Sequence, residues 1–439
     1  MTRILIAATP LRGHAMPLLR IAADLGSRGH DVVVVTGSLF RESVENSGLR
    51  FVGLPGIANY DVERQQQVME GRAHIAPGPA QLDYDFTHAF YEPIPEQHAT
   101  LQSVLAEAPD EPTTVITDQS FMGQWPVLLG AAGIVPAATI VIGVVPLPMN
   151  SVDTAPFGLG LPPDATEEGR ARNKAQNAMV EEMFSGSTGF LRATLEGLGA
   201  TESIGFPMDG IVKLPDRYLQ LSVGGVEYPR SDAPGGLRFV GSLPAETAGS
   251  RSLPDWWDEV LTADRVVVVT QGTLANRDLS LLIEPALRAL ADLDALVVVT
   301  TGRDDDEGVP RDVPANARIA SFIPYDALLP HADVLVTNGG YGGSLQALGH
   351  GVPLVIAGAT EDKVEVAARL AWTGAAVNLA TETPGQGEIA AAVLKVLDDV
   401  AFREHAGRLR EESLRHDAFE EVARTVEELN ASRRGDRAR

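Results

Sequence analysis

Two residues far apart in the chain have the side-chain types needed to move a proton. His14 lies in Thr9-Pro-Leu-Arg-Gly-His-Ala-Met-Pro17, between an apolar run at residues 3–8 and a stretch of helical spacing at 15–28. Histidine has the unperturbed proton affinity nearest neutral pH, which suits a general base taking a proton from a hydroxyl. A lone histidine near a helix start also suits a cap or a surface position. Asp118 directly follows the β-branched run Thr113-Thr-Val-Ile-Thr117. A carboxylate beside an imidazole fixes its tautomer and stabilises the imidazolium that forms. A helix cap for a segment beginning near Met122 is the other reading of Asp118.

A third group of residues points to phosphate. Val334-Leu-Val-Thr337 reads as a buried strand, Asn338-Gly-Gly-Tyr-Gly-Gly343 follows at once, and residues 344–350 read as a helix ending before Gly351. Glycines between a strand and a helix let backbone N–H groups approach an anion, and the helix start adds partial positive charge. This turn is read as a diphosphate seat. Downstream, Asp362-Lys363 follows a strand at 353–357, so its carboxylate is placed to accept hydrogen bonds from sugar hydroxyls, while Phe322 offers a face to a nucleobase. Singly, Asp362 also fits a helix cap and Phe322 a core aromatic.

These residues need parallel sheets behind them. Strands are expected at 3–8, 31–36, 50–54, 114–117 and 137–142, then at 265–270, 295–300, 318–322, 334–337 and 353–357, with helical spacing between many of them. Strand and helix in alternation imply right-handed crossovers and parallel sheets, whose ligands bind at the carboxyl edge of the strands. His14 and the turn Gln271-Gly-Thr-Leu-Ala-Asn276 each follow the first strand of a half. Two long segments, 55–97 and 146–188, read as irregular insertions rich in Pro, Gly, Met and aromatic residues. Phe86, Phe90, Tyr91, Met149, Met183 and Phe184 are their candidates for lining an apolar cleft, and each also fits a residue that closes the core. Composition shifts to Gly, Pro and small polar residues over 222–250. Residues 1–220 are therefore assigned to a first domain, 221–240 to a linker, 241–415 to a second domain, and 416–439 to a helix and charged tail.

At 439 residues, two large domains are expected rather than one core. The chain has no cysteine, which removes disulfides, thiolate metal sites and a cysteine nucleophile. Against 59 acidic residues there are 35 Lys and Arg, a net charge of −24 that argues against nucleic acid or anionic membranes as partners. No apolar run suits a signal peptide or a membrane span, so a soluble, cytoplasmic protein is expected. Asp304-Asp-Asp306 reads as a solvated acidic turn, and no metal site is assigned.

With these residues in place, the chain resembles a family 1 nucleotide-sugar glycosyltransferase of the GT-B fold, in the bacterial natural-product branch. Gly13-His-Ala-Met-Pro17 is similar to the family's GHxxP, whose histidine is the acceptor base, and Asp118 falls where its partner aspartate is expected. Phe322-Ile323-Pro-Tyr325 is similar to the WxPQ element that stacks the uracil. Asn338 to Ala347 is similar to the donor signature HGGxGSxxEA, Asp362-Lys363 to a sugar-reading Asp-Gln pair, and Thr273 to a small hydroxyl residue facing the diphosphate. The departures are Asn338 for a histidine, Gly343 for a serine, Gln346 for the glutamate that grips the ribose, and Lys363 for glutamine. Ser344 or the Gly343 N–H then takes the missing serine's place.

The resemblance implies two Rossmann-like domains facing each other across a cleft, with a C-terminal helix returning to the first. It implies inverting, metal-independent transfer of a hexose to a bulky apolar acceptor such as a macrolide, ansamycin or aromatic polyketide, in biosynthesis or antibiotic inactivation. UDP-glucose is the expected donor and a dTDP-deoxysugar the alternative, as co-substrate rather than cofactor, with room left for a homodimer. Donor contacts would come from Gly13, Thr273, Phe322, Ile323, Asn338, Gly339, Gly340, Gly342, Gly343, Ser344, Gln346, Asp362 and Lys363. A catalytically silent partner of another glycosyltransferase is the competing role, held open by the altered signature. A nucleotide-sugar epimerase would need no large acceptor cleft. A dinucleotide oxidoreductase fits poorly because residues 9–17 lack the required glycines.

Overall fold

The computed structural model describes residues 2–75, 79–244, 253–272, 278–303, 312–360 and 362–437, excepting the side chains of 79 and 433–437. The acidic turn at 304–306 lies outside the described residues. The β-branched runs form strands, and all pair in parallel. The first sheet contains β1 (Arg3–Ala7), β2 (Asp31–Thr36), β3 (Arg50–Gly53), β4 (Thr113–Asp118), β5 (Ala138–Gly143), β6 (Arg217–Gln220) and β7 (Leu237–Phe239) in the order β3-β2-β1-β4-β5-β6-β7. The second contains β8 (Val266–Thr270), β9 (Leu296–Thr300), β10 (Ala317–Ala320), β11 (Val334–Thr337), β12 (Leu354–Ile356) and β13 (Ala376–Asn378) in the order β10-β9-β8-β11-β12-β13. Successive strand residues serve opposite faces, so Val266 and Val268 enter one core while Val267 and Val269 enter another. Helices cover both faces of each sheet, which is why these strands are apolar throughout.

Four helices matter most to the site. They are α1 (Arg12–Ser27), α2 (Tyr341–Gly349), α3 (Lys363–Trp372) and α4 (Ala418–Arg437). The last buries Ala418, Val422, Val426 and Leu429 in the core of the first sheet, beside Ile4 and Leu18, so the chain does return to its first domain. No helix among the described residues is long and apolar enough to cross a membrane.

Three expectations change. The insertions are largely helical, with helices at Val62–Ala73, Glu167–Met183 and Ser185–Gly197 and a π-helical turn at Phe86–Tyr91. Their polar faces hide the helical period, because Val68 is the only fully buried residue of Val62–Ala73. The proposed linker at 221–240 holds β7, the edge strand of the first sheet, whose three residues are too few to show a period. Finally, α1 and α2 each start three residues before the expected point, which moves His14 and two glycines of the donor turn into first helical turns.

Candidate functional site

Each sheet reverses its strand order once, between β1 and β4 in the first and between β8 and β11 in the second. Such reversals open a crevice at the carboxyl edge, where ligands of open α/β sheets bind. At the first reversal, the pairing of Ala7 with Thr117 brings the ends of β1 and β4 side by side. That register joins His14 to Asp118 across 104 residues of sequence, with His14 Nδ1 2.9 Å from Asp118 Oδ1. Asp118 is fully buried. It accepts from the Thr9 N–H at 2.6 Å, the Thr9 hydroxyl at 3.1 Å and the Ser120 N–H at 2.9 Å. The carboxylate is therefore not a helix cap. Surrounded by donors, it takes the Nδ1–H of His14 and leaves the Nε2 lone pair facing outward from a ring that keeps 15% exposure. A Cβ on the neighbouring Gly13 would meet nothing within 4 Å, so space is open beside the ring.

At the second reversal, Gly340 caps α2, and Tyr341, Gly342 and Gly343 form its first turn. First-turn N–H groups have no acceptor inside the helix and carry the positive end of its dipole. A Cβ on Gly340 or Gly342 would meet nothing within 4 Å, so an anion has room to approach these N–H groups. Gly339 differs. Its φ of +84° and the 2.8 Å approach of a Cβ to Ile356 Cγ2 both require glycine. Asn338 Nδ2 donates to the Gln271 carbonyl at 2.6 Å, tying the β11 turn to the β8 turn. Thr273 lies outside the described residues.

Asp362 and Lys363 reach the same corner. Asp362 is the residue before α3, and Lys363, only 7% exposed, opens it. The Cβ of Lys363 would stand 3.8 Å from a Cβ on Gly339 and 3.0 Å from one on Gly358. Gly358 escaped the sequence reading although a Cβ there would strike the Asn338 carbonyl at 2.1 Å. A glycine in the small-residue run Ala357-Gly-Ala was the available signal.

The other candidates divide by burial. Phe322 stays 44% exposed just beyond β10, whereas Ile323 is 1% exposed and belongs to the core. Ser344 is 1% exposed in the first turns of α2, and its buried hydroxyl finds no hydrogen-bond partner among the described residues. Gln346 lies in the second turn of α2, half-buried. In the first domain, Phe86 stacks at 6.0 Å from Tyr91, meets Phe184 edge-on at 5.4 Å and lies 6.2 Å from Phe90. Tyr91 and Met149 are core residues at 2% exposure, while Met183, at 40%, stands outside that packing. Among the described residues no group of three or more His, Asp or Glu side chains is placed to hold a metal.

Comparison with known proteins agrees with this layout. Residues 284–429 match the family described as the erythromycin biosynthesis protein CIII-like C-terminal domain. The chain is 43% identical to UDP-glycosyltransferase 2 of Phaeomoniella chlamydospora, over 98% of this chain and 96% of that protein. It is 38% identical to 4'-demethylrebeccamycin synthase of Lentzea aerocolonigenes, over 97% of this chain and 99% of that one. It is 36% identical to UDP-glucosyltransferase B1 of Starmerella bombicola, over 97% and 98%. Among solved structures, the kitacinnamycin glycotransferase shares the fold with a TM-score of 0.73 at 22% identity, covering 98% of this chain and 100% of that one.

Proposed function

Because the chain belongs to the family of nucleotide-sugar-dependent natural-product glycosyltransferases, we propose that it moves glucose from UDP-glucose to a hydroxyl of a bulky apolar aglycone. The protein is a sugar-transferring enzyme with a nucleotide-sugar donor and a small-molecule acceptor. The single observation carrying the finer reading is the His14–Asp118 pair at the first strand reversal. The acceptor oxygen attacks the anomeric carbon and gives its proton to His14 Nε2, while Asp118 holds the Nδ1–H and offsets the charge of the imidazolium. The bond from the anomeric carbon to the diphosphate breaks on the opposite face, with its electron pair leaving on UDP, so the configuration inverts. The N–H groups at the start of α2 meet the charge on the departing diphosphate, and the step as written uses no metal.

A relative named as a UDP-glucosyltransferase supports the donor, and one named as a 4'-demethylrebeccamycin synthase supports a natural-product acceptor. The half-buried Phe86 and Phe90, with the buried Phe184 packed edge-on against Phe86, supply apolar surface suited to a macrolide, ansamycin or aromatic polyketide. The deciding assay incubates the purified protein with UDP-glucose or dTDP-glucose and an aglycone panel. The expected result is a mass gain of one hexose with UDP release. Product from the dTDP donor alone would replace UDP-glucose as the donor. No product with either donor, together with no measurable UDP binding, would replace the reading with that of a silent accessory protein.

A further inference from the structure

Behind the two strand reversals, a buried set of charges joins the domains. Glu227, in the segment after β6, has a fully buried side chain, and those of Arg369 and Glu365 on α3 are 2% and 4% exposed. Arg369 Nε donates to Glu227 Oε2 at 2.8 Å, its Nη1 donates to the Glu365 carboxylate, and its Nη2 donates to the Leu147 carbonyl at 3.2 Å. The other oxygen of Glu227 accepts from the Leu147 N–H at 3.0 Å and from the Tyr341 hydroxyl at 3.3 Å. Tyr341 in turn accepts from Gln220 Nε2 at 3.1 Å, at the end of β6. Glu365 Oε1 accepts from the N–H groups of Gly158 and Gly160, each at 2.8 Å. Gly160 has a φ of +61°, and a Cβ there would strike Val364 Cγ1 at 2.7 Å, so this loop is fitted to the first turn of α3.

The positions of these residues give the set a meaning beyond stability. Tyr341 is the first residue of the helix whose start seats the diphosphate, and Glu365 follows Asp362-Lys363 by half a turn. Leu147, Gly158 and Gly160 belong to the first domain's insertion. Burial holds the Tyr341 hydroxyl protonated, with its pKa raised well above the usual phenol range, and Glu227 adds to this. It therefore remains a donor. Replacing a buried ion pair with apolar groups is often neutral or stabilising, so stability alone gives no reason for this arrangement.

We propose that Glu365, Arg369 and Tyr341 are positioning residues that lock the sugar-reading start of α3 and the diphosphate turn onto the first domain's insertion, so that recognition of the transferred sugar depends on that insertion being in place. The proposal rests on the glycosyltransferase reading above. Its test uses UDP and UDP-glucose as probes, measured by calorimetry on wild type, Glu365→Gln and Tyr341→Phe, with thermal melts beside them. Glu365→Gln keeps an oxygen for the glycine N–H groups and removes the charge, while Tyr341→Phe removes one hydroxyl and keeps the ring.

In Glu365→Gln, the preference for UDP-glucose over UDP is expected to fall about tenfold, a usual size for coupling between sites, with UDP affinity retained. Tyr341→Phe should produce a smaller fall in the same ratio. The UDP-glucose KM should rise with kcat less affected, whereas simple loss of folded protein lowers kcat at constant KM. An unchanged UDP-glucose to UDP ratio in both variants would overturn the proposal. So would a loss of both affinities in proportion to lost fold. Where wild type binds both probes, an unchanged ratio in the variants overturns this proposal alone; a wild-type protein that binds neither UDP nor UDP-glucose overturns the functional reading with it.

Discussion

The strand reversal of the first domain carries an imidazole–carboxylate pair, and the equivalent edge of the second carries glycines, helix-start N–H groups and a neutral amide. His14 and Asp118 form a fixed unit, because the carboxylate is held by three donors from Thr9 and Ser120 before the imidazole is counted. At the other edge the Asn338 side chain is engaged with the Gln271 carbonyl, and open space surrounds Gly340 and Gly342. On the proposed function, the difference follows from what each edge would handle. A proton must be received by a side chain whose tautomer is already set, and that needs a buried partner. A diphosphate brings its own charge and bulk, and it needs only donors and room. On that proposal the same doubly wound plan would serve a side-chain site in one half and a backbone site in the other.

The sharpest way to break this contrast is His14→Ala. Turnover should fall on the order of a hundredfold to ten-thousandfold, the usual worth of a general base, while UDP affinity measured by calorimetry stays at the wild-type value. Unchanged turnover would remove the proton-transfer role from the first edge.

A pair of glycine variants sharpens the other half. Gly339→Ala forces a side chain into a positive φ and against Ile356, so it should lower stability by about 1–3 kcal/mol. Gly340→Ala meets no protein atom, so the melting temperature should hold while the donor KM rises. An unchanged donor KM in Gly340→Ala would show that the open space at Gly340 is not a ligand's.

The smallest effect concerns the seam between the halves. Burial alone would push the Glu227 carboxyl up, but the charges of Arg369 and Arg230 and its hydrogen bonds outweigh this and hold it below the usual carboxylate range. Glu365, Tyr341, Tyr218 and Tyr228, whose ring lies 4.5 Å from the Arg369 guanidinium, also face this seam. A carboxyl depressed in the folded state contributes stability that is whole above its unfolded value, about pH 4.3, and is lost as pH falls through the folded value. Melting temperatures taken from about pH 7 downward should therefore fall less steeply below the carboxylate range in Glu227→Gln than in wild type. Parallel curves would assign the acid sensitivity to other carboxylates.

Much of this layout was legible in the chain. Valine runs at 32–35 and 266–269 could only be buried strands, and the glycines from Gly339 to Gly343 after such a strand marked an anion seat. His14 and Asp118 were legible as candidates, each immediately past a strand. The helices of the insertions were not legible, because their apolar faces are narrow. Ile323 stood in the right motif yet its side chain joins the core, since position in a motif does not say which face of a strand end a residue occupies.

The sequence by itself determined the elements and the turns, because hydrophobic period and glycine placement are local properties that any neighbourhood must respect. Only the tertiary structure decided the pairings: Asp118 with His14 through the β1–β4 register, and Arg369 with Glu227 across 142 residues. Those contacts depend on sheet order and on the way the two halves meet. A buried charge acquires its partner only when the whole chain has excluded water from around it.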